Sequence, residues 1–218
     1  MVDSKDVVGI WDNRHYPAWY IPVDDLLVAT KCTEEVRDQP GIGPVVVHDI
    51  DLGHRTLTGA ALFPTEDALP AARNRVRIDF DAVDRWFEED EQVISEPRNP
   101  YVRVDAIASS RHITVAHGDV VIADTTKPVL LFETGVATRY YIPAIDVSYA
   151  HLVEAERKTS CPYKGFASYF DVVVEGDRVA EAAWTYPAPL WTVAPIAGMV
   201  CFYTNKLSVE VDGVTVTT

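Results

Sequence analysis

This sequence predicts a mainly β fold built as two tandem copies of a compact bent-sheet, β-barrel-like domain, and three observations carry that prediction. Residues 3–26 and 124–147 match without a gap: Asp3 with Asp124, Trp11 with Phe132, Asp12 with Glu133, Trp19-Tyr20-Ile21-Pro22 with Tyr140-Tyr141-Ile142-Pro143, and Asp25 with Asp146. Apolar residues elsewhere alternate with period two, the signature of half-buried strands. Turn residues break the alternation at hairpin spacing, as in Asp212-Gly213, a pair that tolerates positive φ.

In chain order, residues 45–51 and 55–58 flank Leu52-Gly53-His54 as the first copy's hairpin. In the second copy, residues 112–116 and 120–123 flank His117-Gly118-Asp119. Residues 170–175 and 178–183 flank Gly176-Asp177, and residues 207–211 and 214–217 flank Asp212-Gly213. Short helical turns are expected after each Ile-Pro, over residues 24–30 and 146–157. Asp146 would cap the second, with Tyr149, Ala150, Leu152 and Val153 inward. Residues 81–91 and 205–212 read as strands. The copies divide at 1–96 and 97–218, across the proline-bracketed Glu96-Pro97-Arg98-Asn99-Pro100. The first copy starts at the equivalent of Asp124, so it lacks the opening hairpin of residues 110–123. An open sheet edge would result, from which packing of the copies on each other is expected.

Composition narrows the function classes. A formal charge of −14 with no basic stripe disfavours nucleic acid as partner. No apolar run is long enough for a bilayer, and the start Met1-Val2-Asp3-Ser4-Lys5-Asp6 lacks a signal-peptide pattern; a cytoplasmic protein is expected. Cys32, Cys161 and Cys201 are odd in number, without CxxC spacing, which fits free thiols in a reducing compartment. No metal site is expected, and no cofactor is specified. A homodimer through a sheet edge or the acidic first copy is consistent with this pattern.

The repeat also separates what both copies share from what one carries alone. Thr159-Ser160-Cys161-Pro162-Tyr163-Lys164-Gly165 occurs only in the second copy; extending the alignment sets residues 161–165 on 38–42, Trp184 on Ala61 and Tyr186 on Phe63. Pro162 and Gly165 make this a short rigid turn. Lys164, with Arg157 and Lys158 upstream, would favour a Cys161 thiolate, for which His151, His112 or His117 are candidate bases. Tyr140, Tyr141, Tyr163, Trp184 and Tyr186 are candidates to line a pocket for a flat ligand. Glu133 is a candidate acid–base or ion-pair group, with Arg139 or Arg111 as partner. The pairs Asp49/Asp51 and Asp79/Asp81 have the spacing of a Mg²⁺ site but read better as solvated strand faces, as does the run of residues 88–91. Cys201 reads as core.

Several runs together resemble a known family. They are Arg98-Asn99-Pro100-Tyr101-x-Arg103-Val104-Asp105, Ser109-Ser110-Arg111-His112, Tyr140-Tyr141-Ile142-Pro143, Thr159-x-Cys161-Pro162-Tyr163-Lys164-Gly165, Ala183-Trp184-x-Tyr186-Pro187 and Ile196-Ala197-Gly198. This ordered set resembles domain-of-unknown-function family 427, in a tandem form whose first copy has lost the Cys-Pro-Tyr-Lys-Gly motif. The resemblance implies compact, mostly β domains with a strongly bent sheet, loosely similar to the methionine sulfoxide reductase B fold, which transfers no function by itself. The family has carried a nucleotidyltransferase label, but a Gly-Ser followed by Asp-x-Asp on the next strand is not found here, so that chemistry is disfavoured.

Two functional expectations follow. In one, the second copy holds a small-molecule site, with Cys161 and Lys164 as its reactive pair and Tyr163, Trp184, Tyr186, Tyr141, Glu133, Arg111 and Arg139 around the ligand. In the other, the protein is a non-catalytic binding or scaffold protein. There the motif is a packing turn, and Lys164 pairs with a carboxylate such as Glu133.

Overall fold

The computed structural model describes residues 1–12, 15–89 and 91–216, and its contacts divide the chain into two compact units, Met1–Asn99 and Pro100–Thr218. Both are mainly β. Unit 1 contains β1 (Val8–Ile10), β2 (Ala18–Pro22), β3 (Ala29–Gln39), β4 (Gly43–Asp51), β5 (Thr56–Pro64), β6 (Arg75–Ile78), β7 (Trp86–Glu88) and β8 (Glu91–Val93). Six of these form one antiparallel sheet in the order β1-β2-β6-β5-β4-β3, and β7-β8 is a separate hairpin.

Unit 2 contains β9 (Val104–Ala108), β10 (Ile113–His117), β11 (Val120–Thr125), β12 (Val129–Glu133), β13 (Val136–Ile142), β14 (Leu152–Cys161), β15 (Gly165–Val174), β16 (Asp177–Thr185), β17 (Val200–Phe202), β18 (Ser208–Val211) and β19 (Val214–Thr215). Its larger sheet runs β9-β12-β13-β17-β16-β15-β14, and a second runs β11-β10-β18-β19. All these sheets are open among the described residues, so the barrel-like closure expected from the sequence does not form. The expected strand end at Thr217, and Asp90 in the acidic run, lie outside the described residues.

Alternation builds both cores. In β4, Val45 and Val47 face one cluster with Tyr20 and Leu62, while Ile50, beyond a bulge, joins Ile21, Val76 and Trp86 on the other side. Unit 2 repeats the division: Tyr141, Tyr169, Trp184 and Cys201 lie on one face, and Ile142, Val172, Val200 and Phe202 on the other. Strands buried on both faces read as apolar runs, which is why Val-Val-Val occurs in both β4 and β15.

Two expected helical stretches are strands. Residues 24–30 make one 3-10 turn (Val23–Asp25) and then enter β3. Residues 146–157 make single 3-10 turns at Ala144–Asp146 and Tyr149–His151, and then enter β14. The apolar positions Tyr149, Leu152 and Val153 have no successors one turn on, because Glu154-Ala155-Glu156-Arg157-Lys158 follows. Pairing with β15 from Leu152↔Val172 to Cys161↔Gly165 claims the segment instead. Residues 81–91, read as a strand, begin in a 3-10 turn (Phe80–Ala82) capped by the Asp79 side chain and become extended only in β7.

Leaving aside β9, the larger sheet of unit 2 has the strand order of the unit 1 sheet, with β12, β13, β17, β16, β15 and β14 taking the places of β1, β2, β6, β5, β4 and β3. Ladder partners agree. Val8↔Tyr20 corresponds to Val129↔Tyr141, Tyr20↔Arg77 to Tyr141↔Cys201, and Gln39↔Gly43 to Cys161↔Gly165. Even the bulges match: Asp49 Oδ1 accepts from the Gly59 amide at 2.7 Å, and Asp171 Oδ1 from the Glu181 amide at 2.6 Å. Gly59 and Glu181 both have positive φ, 62° and 48°. These ladders correct the sequence alignment by one residue. Cys161 occupies the position of Gln39, Lys164 that of Ile42, Trp184 that of Leu62 and Tyr186 that of Pro64.

Candidate functional site

The turn 161–165 closes the β14–β15 hairpin. The Lys164 amide donates to the Cys161 carbonyl at 3.3 Å, and Gly165, at φ +95°, turns the chain into β15. The Lys164 carbonyl accepts from the Leu190 amide at 3.1 Å, tying the turn to the 3-10 segment Trp191–Ile196. Unit 1 builds the same device from other side chains. The Ile42 amide donates to Gln39, Gly43 sits at φ +96°, and the Leu69 amide donates to the Ile42 carbonyl at 2.7 Å. Pro40 and Pro162 occupy the same place. The backbone of the motif therefore exists in both units, and only Cys161, Tyr163 and Lys164 distinguish the second.

Lys164 reaches inward to Glu133 at the end of β12, and the two form an ion pair. Their side chains are only 11% and 15% exposed. This carboxylate therefore pairs with neither Arg139 nor Arg111. Arg139 lies over the rings of Trp184 and Tyr203, at 5.6 and 5.9 Å. Arg111 is bound to Asp212 at 2.7 Å, in the turn after β18.

Tyr141, Tyr163, Trp184 and Tyr186 are all buried, at no more than 8% exposure. The Trp184 indole N–H donates to the Tyr141 hydroxyl at 3.1 Å, the two rings meet edge to face, and Trp184 packs against Tyr203 at 4.4 Å. Edge-to-face aromatic pairs add about 0.5–1.5 kcal/mol beyond burial. Thr159 and Tyr169 share a hydroxyl contact at 2.9 Å, with Arg157 over the Tyr169 ring at 4.7 Å.

The electrostatics follow from burial. Desolvation, helped by Cys201 and Tyr186, pushes the Tyr141 phenol far above its ordinary value, although the Trp184 bond opposes it. Tyr186 rises for the same first reason, with Cys161, Tyr169 and Glu133 adding to it. Burial pushes the Cys201 thiol up to about 12, against the nearby Arg139. Neutral phenols and a neutral thiol thus surround one ion pair. Cys161 itself is half-buried and Cys32 exposed.

The candidate bases are engaged elsewhere. His151 Nδ1 lies 3.1 Å from the Val173 carbonyl, His112 is bound to Asp124 at 2.9 Å, and His117 to Asp177 at 2.7 Å. Of the Asp-x-Asp pairs, Asp49 and Asp51 accept from the Gly59 and Gly53 amides, and Asp79 caps its own 3-10 turn. Among the described residues no cluster of His, Cys, Asp or Glu is arranged for a metal ion.

The unit 1 counterpart of Glu133 was legible; its partners were not. Asp12, with a side chain 2% exposed, accepts from Gln39 Nε2 at 3.0 Å and lies 3.1 Å from Arg77 Nε. Gln39 and Arg77 hold the ladder positions of Cys161 and Cys201. The Tyr20 hydroxyl is buried there without a hydrogen-bond partner among the described residues, and burial together with Asp12 raises its pKa. In β6, Arg75-Val76-Arg77-Ile78, Arg77 alternates with the buried Val76 and Ile78 and so takes the sheet face on which it meets Asp12. So the same carboxylate site is neutralised in both units, by a lysine from the turn in one and an arginine from a strand in the other.

No helix among the described residues is long and apolar enough to cross a membrane. A search of curated proteins finds no match. The model of a domain of unknown function (DUF427) matches residues 105–213, half of the chain and within unit 2, and the chain belongs to that family.

Proposed function

We propose that this is a non-catalytic binding protein, in which the turn 161–165 is architecture and the Lys164–Glu133 pair anchors it. The observation that carries this reading is the paired burial of that lysine and carboxylate, beside a carboxylate neutralised from a different strand in unit 1. The lysine and the acid satisfy each other's charge away from solvent, and the aromatic set packs at no more than 8% exposure. Burying one charge without its partner is strongly unfavourable, so the acid calls for a cation wherever the fold can supply one.

The test is the stability of Glu133→Gln, Lys164→Met and the double variant against urea, together with Cys161 alkylation rates. Architecture predicts destabilised single variants and a Cys161 rate like that of an ordinary half-buried thiol. Single variants at least as stable as the parent, together with a hyper-reactive Cys161, would sink it.

A second reading rests on Cys161 alone. Cys161 is half-buried and lies near Tyr186, so a small-molecule site using Cys161 and Lys164 at the lip of the turn is the competing account. Protection of Cys161 from alkylation by a metabolite fraction, lost in Lys164→Met, would favour it.

A further inference from the structure

Unit 2 covers the Ile142–Phe202 face of its larger sheet with a second sheet, and β10 is the middle of it. β10 lies between β11 and β18, with Val115↔Ala123 on one side and Val115↔Val209 on the other. Its inward residues, Ile113 and Val115, are wholly buried in that core. Unit 1 has both walls of this arrangement. Val2 bridges Leu26 as Ala123 bridges Val147, so residues 1–4 stand where β11 stands. The hairpin β7–β8 stands where β18–β19 does: Trp86, like Val209, is buried in the core, and Glu89 and Asp212, which follow β7 and β18, both have φ 51°. Between those walls, where unit 2 has β10, unit 1 has a cleft of about 450 Å³. Residues 1–5 and Val7 line one side, Arg85, Trp86, Phe87 and Glu89 the other, and Trp19 and Ile21 the floor. β7 pairs only with β8 among the described residues, so its other edge is open.

The rim says what chain fits. In unit 2, the residues just before β10 are held by two acids. Asp212 binds the Arg111 guanidinium at 2.7 Å and the His112 amide at 2.9 Å, while Asp124 contacts the His112 ring at 2.9 Å. The equivalents of those acids, Glu89 and Asp3, both line the cleft; Lys5 and Arg85 line it as well.

We propose that the unit 1 cleft is an acceptor for one extended strand of another polypeptide. That strand carries a basic residue ahead of β-branched residues at alternating positions, as Arg111-His112-Ile113-Thr114-Val115 does. The partner's main chain bonds to the open edge of β7 and to residues 2–4, and its alternate side chains fill the space over Trp19, Ile21 and Trp86. This inference concerns unit 1 and does not rest on the reading of residues 161–165.

The probe is a synthetic peptide of residues 110–119, titrated into the full-length protein by calorimetry and by tryptophan fluorescence. Saturable binding is expected. It should weaken about tenfold or more when the Ile-Thr-Val-Ala order is shifted to Thr-Ile-Ala-Val, or when the peptide's Arg-His becomes Glu-Glu. Asp3→Lys with Glu89→Lys in the protein should weaken it similarly; both sites are exposed, and they distinguish the unit 1 cleft from exchange with β10 in unit 2. A second readout fuses residues 110–121 directly ahead of Met1, which should raise the midpoint of thermal unfolding. No binding together with an unchanged midpoint overturns the proposal, and so does equal binding of the shifted peptide. A peptide-free dimer that the peptide splits would assign the cleft to a second copy of this chain, and that too overturns it.

Discussion

Unit 1 and unit 2 solve one problem, a carboxylate at the end of an inner-facing strand, with different residues. Glu133 takes its cation from the turn at Lys164, whereas Asp12 takes Arg77 from β6 and a hydrogen bond from Gln39. The turn is freed accordingly: Ile42 fills in unit 1 the position that Lys164 holds in unit 2, and it is buried in the core. The lesson is that the acid belongs to the fold and the cation is interchangeable. A second difference is that unit 2 closes its other face with β10 while unit 1 leaves a cleft there.

Breaking the comparison at the ion pair should have the largest effect. Arg77→Met strands the Asp12 carboxylate in the core and should cost about 3–5 kcal/mol, or unfold unit 1 altogether, read by urea titration. A loss below about 1 kcal/mol would mean that Gln39 alone satisfies the acid.

The bulge carboxylates come next. Asp171→Asn and Asp49→Asn should each cost about 1–2 kcal/mol, because a neutral amide oxygen replaces the charged acceptor of the bulge N–H. The Asp171 effect should depend on pH. Its carboxyl is held below the ordinary range, first by the Glu181 amide and then, against burial, by Arg178. A depressed pKa contributes stability above the unfolded value that is lost as pH falls through the folded one, so the difference between wild type and Asp171→Asn should shrink in acid. A constant difference from neutral pH down to acid-induced unfolding would refute the assignment.

Smaller effects sharpen the match between the bulges. Gly59→Ala should cost about 1 kcal/mol, since φ +62° disfavours a Cβ. Glu181→Gly relieves the same strain but loses the ion pair to Arg157, so it should come out near neutral. Equal losses at both positions would argue against a shared bulge. At Glu96 the sign reverses. Burial, with Asp81, Asp12 and Asp79, raises its pKa against the pull of Arg77, so its charged form is disfavoured in the folded state. Stability from this group is therefore gained as pH falls through the folded pKa, and Glu96→Gln should slightly stabilise the protein at neutral pH.

Much of this was legible in the sequence, for identifiable reasons. The hairpins around Gly118, Gly176 and Asp212-Gly213 were visible because alternation and turn chemistry agree there. β3 and β14 were misread because a capped acidic start looks helical until the following residues are counted; long-range pairing decides such segments. The one-residue slip in aligning 161–165 came from anchoring on Gly53 and Gly176. The pairs Ile50↔Leu57 and Val172↔Val179 show that these glycines are not at the same ladder position. In the correct register, proline and glycine of the turn recur in both units, and the motif looks far less exceptional. Arg77 was invisible as a partner because its counterpart is Cys201, and nothing local links a strand arginine to an acid 65 residues earlier. The cleft of unit 1 was not legible, because its charged rim of Asp3, Glu89, Lys5 and Arg85 forms only when segments about 80 residues apart are brought together.

The most direct test of the account is a double-mutant cycle on Glu133 and Lys164, with unfolding free energies for wild type, Glu133→Gln, Lys164→Met and the pair. Architecture predicts that each single change costs about 3–5 kcal/mol and that the double variant recovers a large part of the summed loss, since removing both charges leaves none stranded. Single variants that are neutral or more stable than the parent, with no coupling between them, would contradict it, because residues kept for activity at the expense of stability behave that way.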